Sequence, residues 1–210
     1  MTDWIALAKD IGFDAAVPMD PRLLRARRDI RTMCEENRCR AYNKNWTCPP
    51  AVGTLEECQN RMLRYEKGIL VQTIGHLSKV IDRKAYRETE ERHLRQFRIF
   101  AELLRKTLPD ALCLGSGGCR ICKTCAYPEP CRFPEKALSS MEAYGLFVTQ
   151  VCRDNGLPYY YGEKTIAYTG CVLYNEKRIQ GTGSFFPSLF LRRNRIRSGH
   201  HRKWYFPHFI

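Results

Sequence analysis

Hydrophobic side chains recur at helical spacing in several parts of the chain, most clearly between residues 83 and 106. There the apolar positions step by three or four residues, from Tyr86 through Phe97 to Leu108. Such a stripe predicts a long amphipathic helix. Shorter patterns of the same kind predict helices over residues 4–10, 20–34, 54–65 and 139–155. The last three begin with typical capping sequences, namely Asp20-Pro21, Thr54 with Glu57, and Ser139 with Glu142.

Short runs of apolar and β-branched residues alternate with these helices and predict strands. The runs cover residues 13–17, 69–73, 111–114, 158–162 and 165–174. Interspersed helices and strands indicate an α+β fold, in which helices flank a mixed β-sheet. The order of the strands does not follow from the pattern.

The same pattern assigns individual side chains to the core or to the surface. Cys58, Cys113, Cys152 and Cys171 fall on apolar faces and are expected to be buried. His93 lies beside the stripe of the long helix and is expected at its boundary. Four arginines of the 20–34 helix occupy its polar face and are expected to be solvated: Arg25, Arg27, Arg28 and Arg31.

Charge divides the chain into two unequal parts. The formal net charge is +13, and residues 175–210 contain eight Lys or Arg and a single acid. We therefore expect a cysteine-rich domain over residues 1–174 and a basic, aromatic extension over 175–210 that is unstructured or loosely docked. Arginines among aromatic residues can also bind nucleic acid by charge and stacking, which is the alternative for this extension.

Eleven cysteines dominate the candidate chemistry. The chain has no apolar run of membrane-spanning length and no basic, apolar start of the secretory kind, so we expect a cytoplasmic protein without membrane contact. Thiols stay reduced in that compartment, which favours metal or redox chemistry over disulfides.

The most informative stretch runs from Gly115 to Cys131. Cys119, Cys122 and Cys125 follow one another at intervals of three residues, and Cys131 comes six residues later. Three cysteines at this spacing can reach three corners of a cubane cluster within one tight loop, and a fourth cysteine completes the ligand set. Gly117 and Gly118 would let backbone N–H groups approach the cluster sulfurs. The stretch predicts a [4Fe-4S] cluster on these four cysteines.

Zinc is the main alternative in this loop. Structural zinc sites usually combine two Cys-x₂-Cys elements across a longer spacer, whereas three cysteines overlap here in a single run. Zinc would make the protein a structural module that presents a surface to nucleic acid or to another protein.

A second cysteine group lies upstream and consists of Cys34, Cys39 and Cys48. Cys34 ends the predicted 20–34 helix, and Cys48 lies in the proline-containing loop from Trp46 to Pro50. This group either completes the first cluster or holds a second one. Cys58 is the alternative fourth member, although its place on an apolar helix face favours the core. A cluster held by only three thiolates would leave one iron open to a substrate, so an enzyme is a further alternative. The pattern does not decide whether the protein is an enzyme.

Four separated blocks of the sequence resemble a known prokaryotic family. They are residues 37–50, 115–125, 130–137 and 140–145. The family's members are described as predicted metal-binding, cysteine-rich proteins with a domain of unknown function, and the resemblance extends over about residues 1–174. It implies metal binding in a cytosolic protein of bacterial or archaeal type. It also implies ligands among Cys39, Cys48 and the four cysteines of the Cys119–Cys131 run. Residues 175–210 have no counterpart in the family pattern.

Together these observations predict an iron–sulfur protein in electron transfer or cluster-dependent redox chemistry, with another protein as its redox partner. The oligomeric state is not predicted.

Overall fold

Five strands form one mixed sheet in the order β1-β2-β5-β3-β4, in a computed structural model that describes residues 2–176. The predicted extension lies outside these residues from 177 onward, so its proposed roles stay predictions. The strands are β1 (Ala15–Met19), β2 (Lys67–His76), β3 (Leu112–Gly115), β4 (Ser139–Ser140) and β5 (Thr165–Tyr174). The helices are α1 (Trp4–Ile11), α2 (Arg28–Glu35), α3 (Leu55–Met62), α4 (Arg83–Thr107) and α5 (Val148–Asp154), with 3₁₀ turns at Pro21–Leu23 and Glu142–Tyr144. The predicted α+β class with a mixed sheet is confirmed.

The centre of the sheet is the antiparallel pair of β2 and β5. The two strands pair over ten residues, from Lys67 opposite Tyr174 to His76 opposite Thr165. Strand β1 adds to the other side of β2, and β3 adds antiparallel to β5. The last pair, β3 with β4, is parallel, which makes the sheet mixed.

The sheet separates two apolar cores, because successive side chains of a strand point to opposite faces. Ile69 and Val71 of β2 pack with α1 and α4 on one face. Leu70 packs on the opposite face with residues of α3, α5 and the segment that precedes α5. All four cysteines predicted as core residues, Cys58, Cys113, Cys152 and Cys171, are buried here, as expected.

Helix α4 confirms the prediction from the long amphipathic stripe, but His93 lies deeper than predicted. Its side chain is fully buried rather than at the boundary. His93 Nδ1 lies 3.0 Å from the Thr73 hydroxyl of β2, and its ring stacks on Phe97. Burial, with a smaller effect of Arg92, lowers the pKa of His93 to about 3. His93 is therefore a neutral core residue at physiological pH.

The predicted helix over residues 20–34 is broken. A 3₁₀ turn covers Pro21–Leu23, and α2 starts only at Arg28. In between, the backbone N–H of Ala26 donates to Gln59 Oε1, and the N–H of Arg27 donates to the carbonyl of Gly145. These tertiary hydrogen bonds replace the helical ones.

The predicted helix over 139–155 is likewise divided. Ser139 and Ser140 pair with β3, and Ser140 Oγ accepts from the Ala143 N–H of a 3₁₀ turn rather than of an α-helix. Gly145 takes a left-handed conformation (φ 77°) that ends this turn. Only Val148–Asp154 is α-helical. Residues 158–162 do not form the predicted strand. No helix within residues 2–176 combines the length and hydropathy needed to cross a bilayer.

Candidate metal centre

The loop that contains the four downstream cysteines is held by the sheet at both ends. Leu114 pairs with Ser139 and Gly115 pairs with Ser140, so the chain leaves and re-enters neighbouring strands. Between these anchors, residues 116–138 contain no helix or strand. Side-chain contacts and turns must therefore set the conformation of the loop.

One cavity is lined by all four cysteines that are predicted to hold the cluster. Cys119, Cys122, Cys125 and Cys131 all line it, and each is half-buried. The remaining lining residues include Trp46, Thr47 and Phe133. The structure thus brings the predicted ligand set of this loop together around a common space.

The cavity itself is small. Its volume is about 20 Å³, which is room for about one water molecule. Within residues 2–176, no three His, Cys, Asp or Glu side chains are arranged closely enough to form a ready-made metal site. Thiols are nevertheless the donors that iron–sulfur clusters, zinc and Cu(I) prefer. The donor chemistry fits such a group, and its binding would require the thiols to move closer to a shared centre.

Only one of the two glycines that lead into the loop has a backbone conformation that favours glycine. Gly117 has a φ of +68°, a left-handed conformation that favours glycine. Gly118 has an ordinary φ, and a Cβ added to it would meet no heavy atom within 4 Å. Contact of either glycine with a cofactor stays a prediction.

The upstream cysteines lie in the last turn of α2 and in the segment of tight turns that follows it. Cys34 is half-buried in the last turn of α2, Cys39 is exposed, and Cys48 is buried. Three residues around Cys39 have left-handed backbones: Asn37, Arg40 and Asn43, with φ of 55°, 60° and 53°. Cys39 is near enough to both other thiols for its charge to raise the pKa of Cys34 and of Cys48.

Three hydrogen bonds fasten the upstream segment to the downstream loop. Trp46 Nε1 donates to the carbonyl of Glu129 at 2.8 Å. The Tyr127 hydroxyl donates to Asn43 Oδ1 at 2.8 Å, and the Cys119 N–H donates to Thr47 Oγ1 at 3.4 Å. The rings of Trp46 and Tyr127 also meet edge to face, with centroids 5.0 Å apart.

The pKa of Cys48 is affected by cysteines of both groups. Burial, above all, raises the pKa of the Cys48 thiol to about 11, and the negative charges of Cys39, Cys34 and Cys119 raise it further, against a lowering hydrogen bond with Thr47. Burial also raises the pKa of Cys34, although the Arg31 charge opposes this effect. Thiols with raised pKa values stay protonated in the absence of metal and lose their protons when a metal cation binds them.

Arg31 carries a buried positive charge beside the upstream group. Only 5% of its surface is exposed, which corrects the prediction of a solvated arginine. Its guanidinium donates to the carbonyls of Gly53 and Ala143 and lies 3.6 Å from Cys58 Sγ, while its Nε has no partner. Within residues 2–176, no carboxylate forms an ion pair with it.

Sequence reasoning did not identify the residues that join the two groups. Trp46, Asn43 and Tyr127 gave no signal, because their contacts span more than 80 positions. Arg31 could have been found, since it precedes Cys34 by three residues and therefore shares its side of the helix.

Comparison with known protein families gives a match over most of the chain. The model of the family described as predicted metal-binding protein (DUF2284) matches residues 18–174. The match covers more than half of the chain and includes all seven cysteines predicted as ligands. No curated protein and no solved structure matches the chain. The chain therefore belongs to DUF2284, a family of predicted metal-binding proteins.

Proposed function

We propose that this protein binds a [4Fe-4S] cluster through Cys119, Cys122, Cys125 and Cys131 and serves in electron transfer. The observation that carries the proposal is the cavity whose lining residues include all four cysteines of one loop. A bound cluster would supply one-electron redox chemistry. The reduced thiols that such a site needs are consistent with the cytoplasmic location expected from the sequence.

Basic side chains of the loop would offset the negative charge of a thiolate-bound cluster. Arg120, Lys123 and Arg132 alternate with the cysteines and are exposed. Arg132 also donates to the carbonyl of Thr124 at 3.1 Å, and Arg120 pairs with Glu90 at 2.6 Å. The first contact closes the loop upon itself, and the second ties it to α4.

The upstream thiols Cys34, Cys39 and Cys48 are proposed as a second metal position. The buried charge of Arg31 supports this assignment, because a buried charge without a counter-ion is strongly unfavourable. Ligated thiolates next to α2 would provide that counter-ion. Three thiolates would leave one metal position for an external ligand, which is the form that an enzymatic role would take.

A protein partner is the expected source or acceptor of electrons. The downstream loop supports this role by its position at the surface, where Lys123 and Thr124 are exposed between two of the cysteines. An exposed loop permits the close approach that transfer between proteins requires.

The test is the metal content of protein purified without oxygen. We expect a coloured protein with about four irons and four sulfides per chain, or about eight of each if the upstream thiols hold a second cluster. Cys122→Ala should abolish the first cluster. Cys113→Ala is the matched control, because Cys113 is buried in β3 outside the loop and its loss should leave the iron content unchanged. Full iron content in Cys122→Ala would refute the ligand assignment.

Structural zinc is the second candidate, and the electrostatic effect of Cys39, Cys34 and Cys119 on the Cys48 thiol favours it. Four thiols from two separate segments are the usual complement of a structural zinc site. The zinc would then fix the two loops as a surface for nucleic acid or another protein. A colourless protein that holds zinc and lacks sulfide would establish this alternative and exclude the cluster.

A further inference from the structure

A groove lies beside the cysteine loop, between the C-terminal half of α4 and the chain that returns to β4. Its volume is about 580 Å³, which is within the range of small-molecule binding sites. The lining residues are Arg98, Ala101, Glu102, Arg105, Lys106, Ile121, Glu135, Lys136 and Leu138.

The groove combines an apolar floor with a fixed wall. Ala101 is buried, and Ile121 and Leu138 are half-buried, so the floor offers a dry surface to an apolar ligand. Arg105 donates to the carbonyls of Glu135 and Ala137, at 2.8 and 3.5 Å. These bonds hold the returning chain against α4, so the groove is formed before any ligand arrives.

The charges around the groove leave two cations available. Four basic and two acidic side chains line it. Lys106 pairs with Glu102 at 3.5 Å, and Arg105 is engaged with the backbone carbonyls. Neither Arg98 nor Lys136 has a carboxylate partner in the part of the chain that the structure describes. Lys136 Nζ lies over the Phe133 ring instead, 5.8 Å from its centroid.

The available cations stand where the groove meets the cysteine loop. Arg98, Ile121, Lys136 and Leu138 also line a smaller cavity, whose other wall is the glycine-rich segment from Gly115 to Cys119. A ligand held by Arg98 and Lys136 would therefore lie against Ile121, between Cys119 and Cys122 in the chain.

We propose that this groove binds a small organic anion with an apolar body. Arg98 and Lys136 would hold its carboxylate, sulfonate or phosphate group, and Ala101, Ile121 and Leu138 would cover the body. Charge-assisted hydrogen bonds to an anion are among the stronger polar contacts. The site belongs to α4 and the returning chain, and it stands whether the cysteines bind iron, zinc or no metal.

The experiment compares two probes of nearly equal shape, 2-naphthoate and the neutral 2-naphthamide. Binding to the full-length protein as purified is measured by equilibrium dialysis at low ionic strength. We expect 2-naphthoate to bind roughly tenfold or more tightly than 2-naphthamide, because only the anion engages both cations. Equal affinity for the two probes would overturn the proposal.

The variants locate the binding. The double variant R98E/K136E should weaken 2-naphthoate binding by roughly tenfold or more and leave 2-naphthamide within about twofold. Arg95→Glu changes an exposed arginine of the same helix that does not line the groove, so it should retain the affinity of the unaltered protein. Unchanged anion binding in R98E/K136E, or an equal loss in Arg95→Glu, would place the binding elsewhere.

A third variant separates this proposal from the metal assignment. Cys122→Ala should lose iron and keep 2-naphthoate binding, provided that its thermal unfolding stays cooperative. If that variant does not fold, the probe is measured on the intact protein before and after chelation, with the same expectation. Loss of probe binding together with the metal would show that the groove is not an independent site.

Discussion

The paired strands β2 and β5 and the two cysteine segments are stabilised in opposite ways. The strands pair through ten consecutive residues, and apolar cores cover both faces. The cysteine segments, residues 36–53 and 116–138, contain no helix or strand, and three hydrogen bonds connect them to each other. The first region is stable through burial and strand pairing, whereas the second is held by turns, and none of residues 116–138 is fully buried.

This difference indicates what a metal would contribute. A segment with few buried apolar contacts opens locally at a low free energy. Metal ligation can supply the missing stability because the thiolates bind the metal far more tightly in the folded protein than in the unfolded chain. We therefore expect the sheet to fold without metal and the cysteine segments to be ordered by metal binding.

Metal removal should give the largest contrast between the two regions. Structural thiolate sites provide on the order of 10 kcal/mol of apparent binding free energy. After anaerobic chelation we expect amide hydrogen exchange in residues 36–53 and 116–132 to accelerate strongly. Strands β2 and β5, and the returning chain that Arg105 holds against α4 at Glu135 and Ala137, should keep their protection. Equal acceleration in both regions would mean that the sheet depends on the metal as well.

Among substitutions in the sheet region, we expect Phe97→Ala to lower the free energy of unfolding most. Phe97 is almost completely buried, stacks on His93 and packs against Gly115 and Gly170. Its removal should lower the free energy of unfolding by about 3–5 kcal/mol, as measured in urea. Phe147→Ala, at a 39% exposed position, is the control and should change stability by less than about 1 kcal/mol. Comparable losses in the two variants would contradict the assignment of Phe97 to the core.

Acid should destabilise the sheet region through His93. Its folded pKa of about 3 lies below the ordinary 6.5, so the unfolded chain binds a proton below pH 6.5 that the folded chain excludes. The free energy of unfolding should therefore fall by about 1.4 kcal/mol per pH unit as the pH decreases from 6.5 toward 3.

This effect is measured as the difference in pH slope between the unaltered protein and His93→Gln, both without metal. In His93→Gln, the slope of the free energy of unfolding against pH should decrease by about 1.4 kcal/mol per pH unit. His76→Gln removes an exposed histidine at the end of β2 and should retain the full slope. If the two variants behave alike, His93 is not the group responsible.

Trp46→Phe tests the connection between the cysteine segments. The change keeps an aromatic ring against Tyr127 and removes the hydrogen bond to the Glu129 carbonyl. Losing one such bond should weaken metal affinity by a free energy of about 1 kcal/mol, measured by competition with a chelator. Trp4→Phe in α1 is the matched control and should leave metal affinity unaltered.

Arg40→Gly should produce the smallest effect, and in the opposite direction. Arg40 has a left-handed backbone that disfavours side chains with a Cβ, so glycine should stabilise the metal-bound segment by up to about 1 kcal/mol. Arg38→Gly, at an exposed position without a positive φ, should give no gain. Thermal unfolding of the metal-loaded variants measures both, and a gain at Arg38 alone would contradict this account of the turn.

The sequence predicted best those elements whose pattern is local and repeated. Helix α4 follows from a stripe of many turns, and β2 and β5 follow from apolar runs that are buried on both faces. The predicted 20–34 helix failed because Gln59 and Gly145 bind its backbone from distant parts of the chain. A local pattern contains no information about such partners.

The candidate site divides in the same way. The Cys119–Cys131 run is a local pattern, and the structure gathers its thiols around one cavity. The proximity of Cys48 to Cys119 depends on Thr47, Trp46 and their partners across the chain, which spacing alone cannot reveal. The burial of His93 was missed for a related reason, since its partner Thr73 lies in strand β2, 20 positions earlier in the chain.

The central position of β5 has a consequence for the order of events during synthesis. Strand β5 is the last described element to leave the ribosome, yet it lies between β2 and β3. Until it emerges, β3 and β4 have no connection to the rest of the sheet, although every proposed ligand has already been translated. The nascent chain therefore carries its thiols for some time before the complete sheet exists, so we expect metal loading to follow the arrival of Thr165–Tyr174.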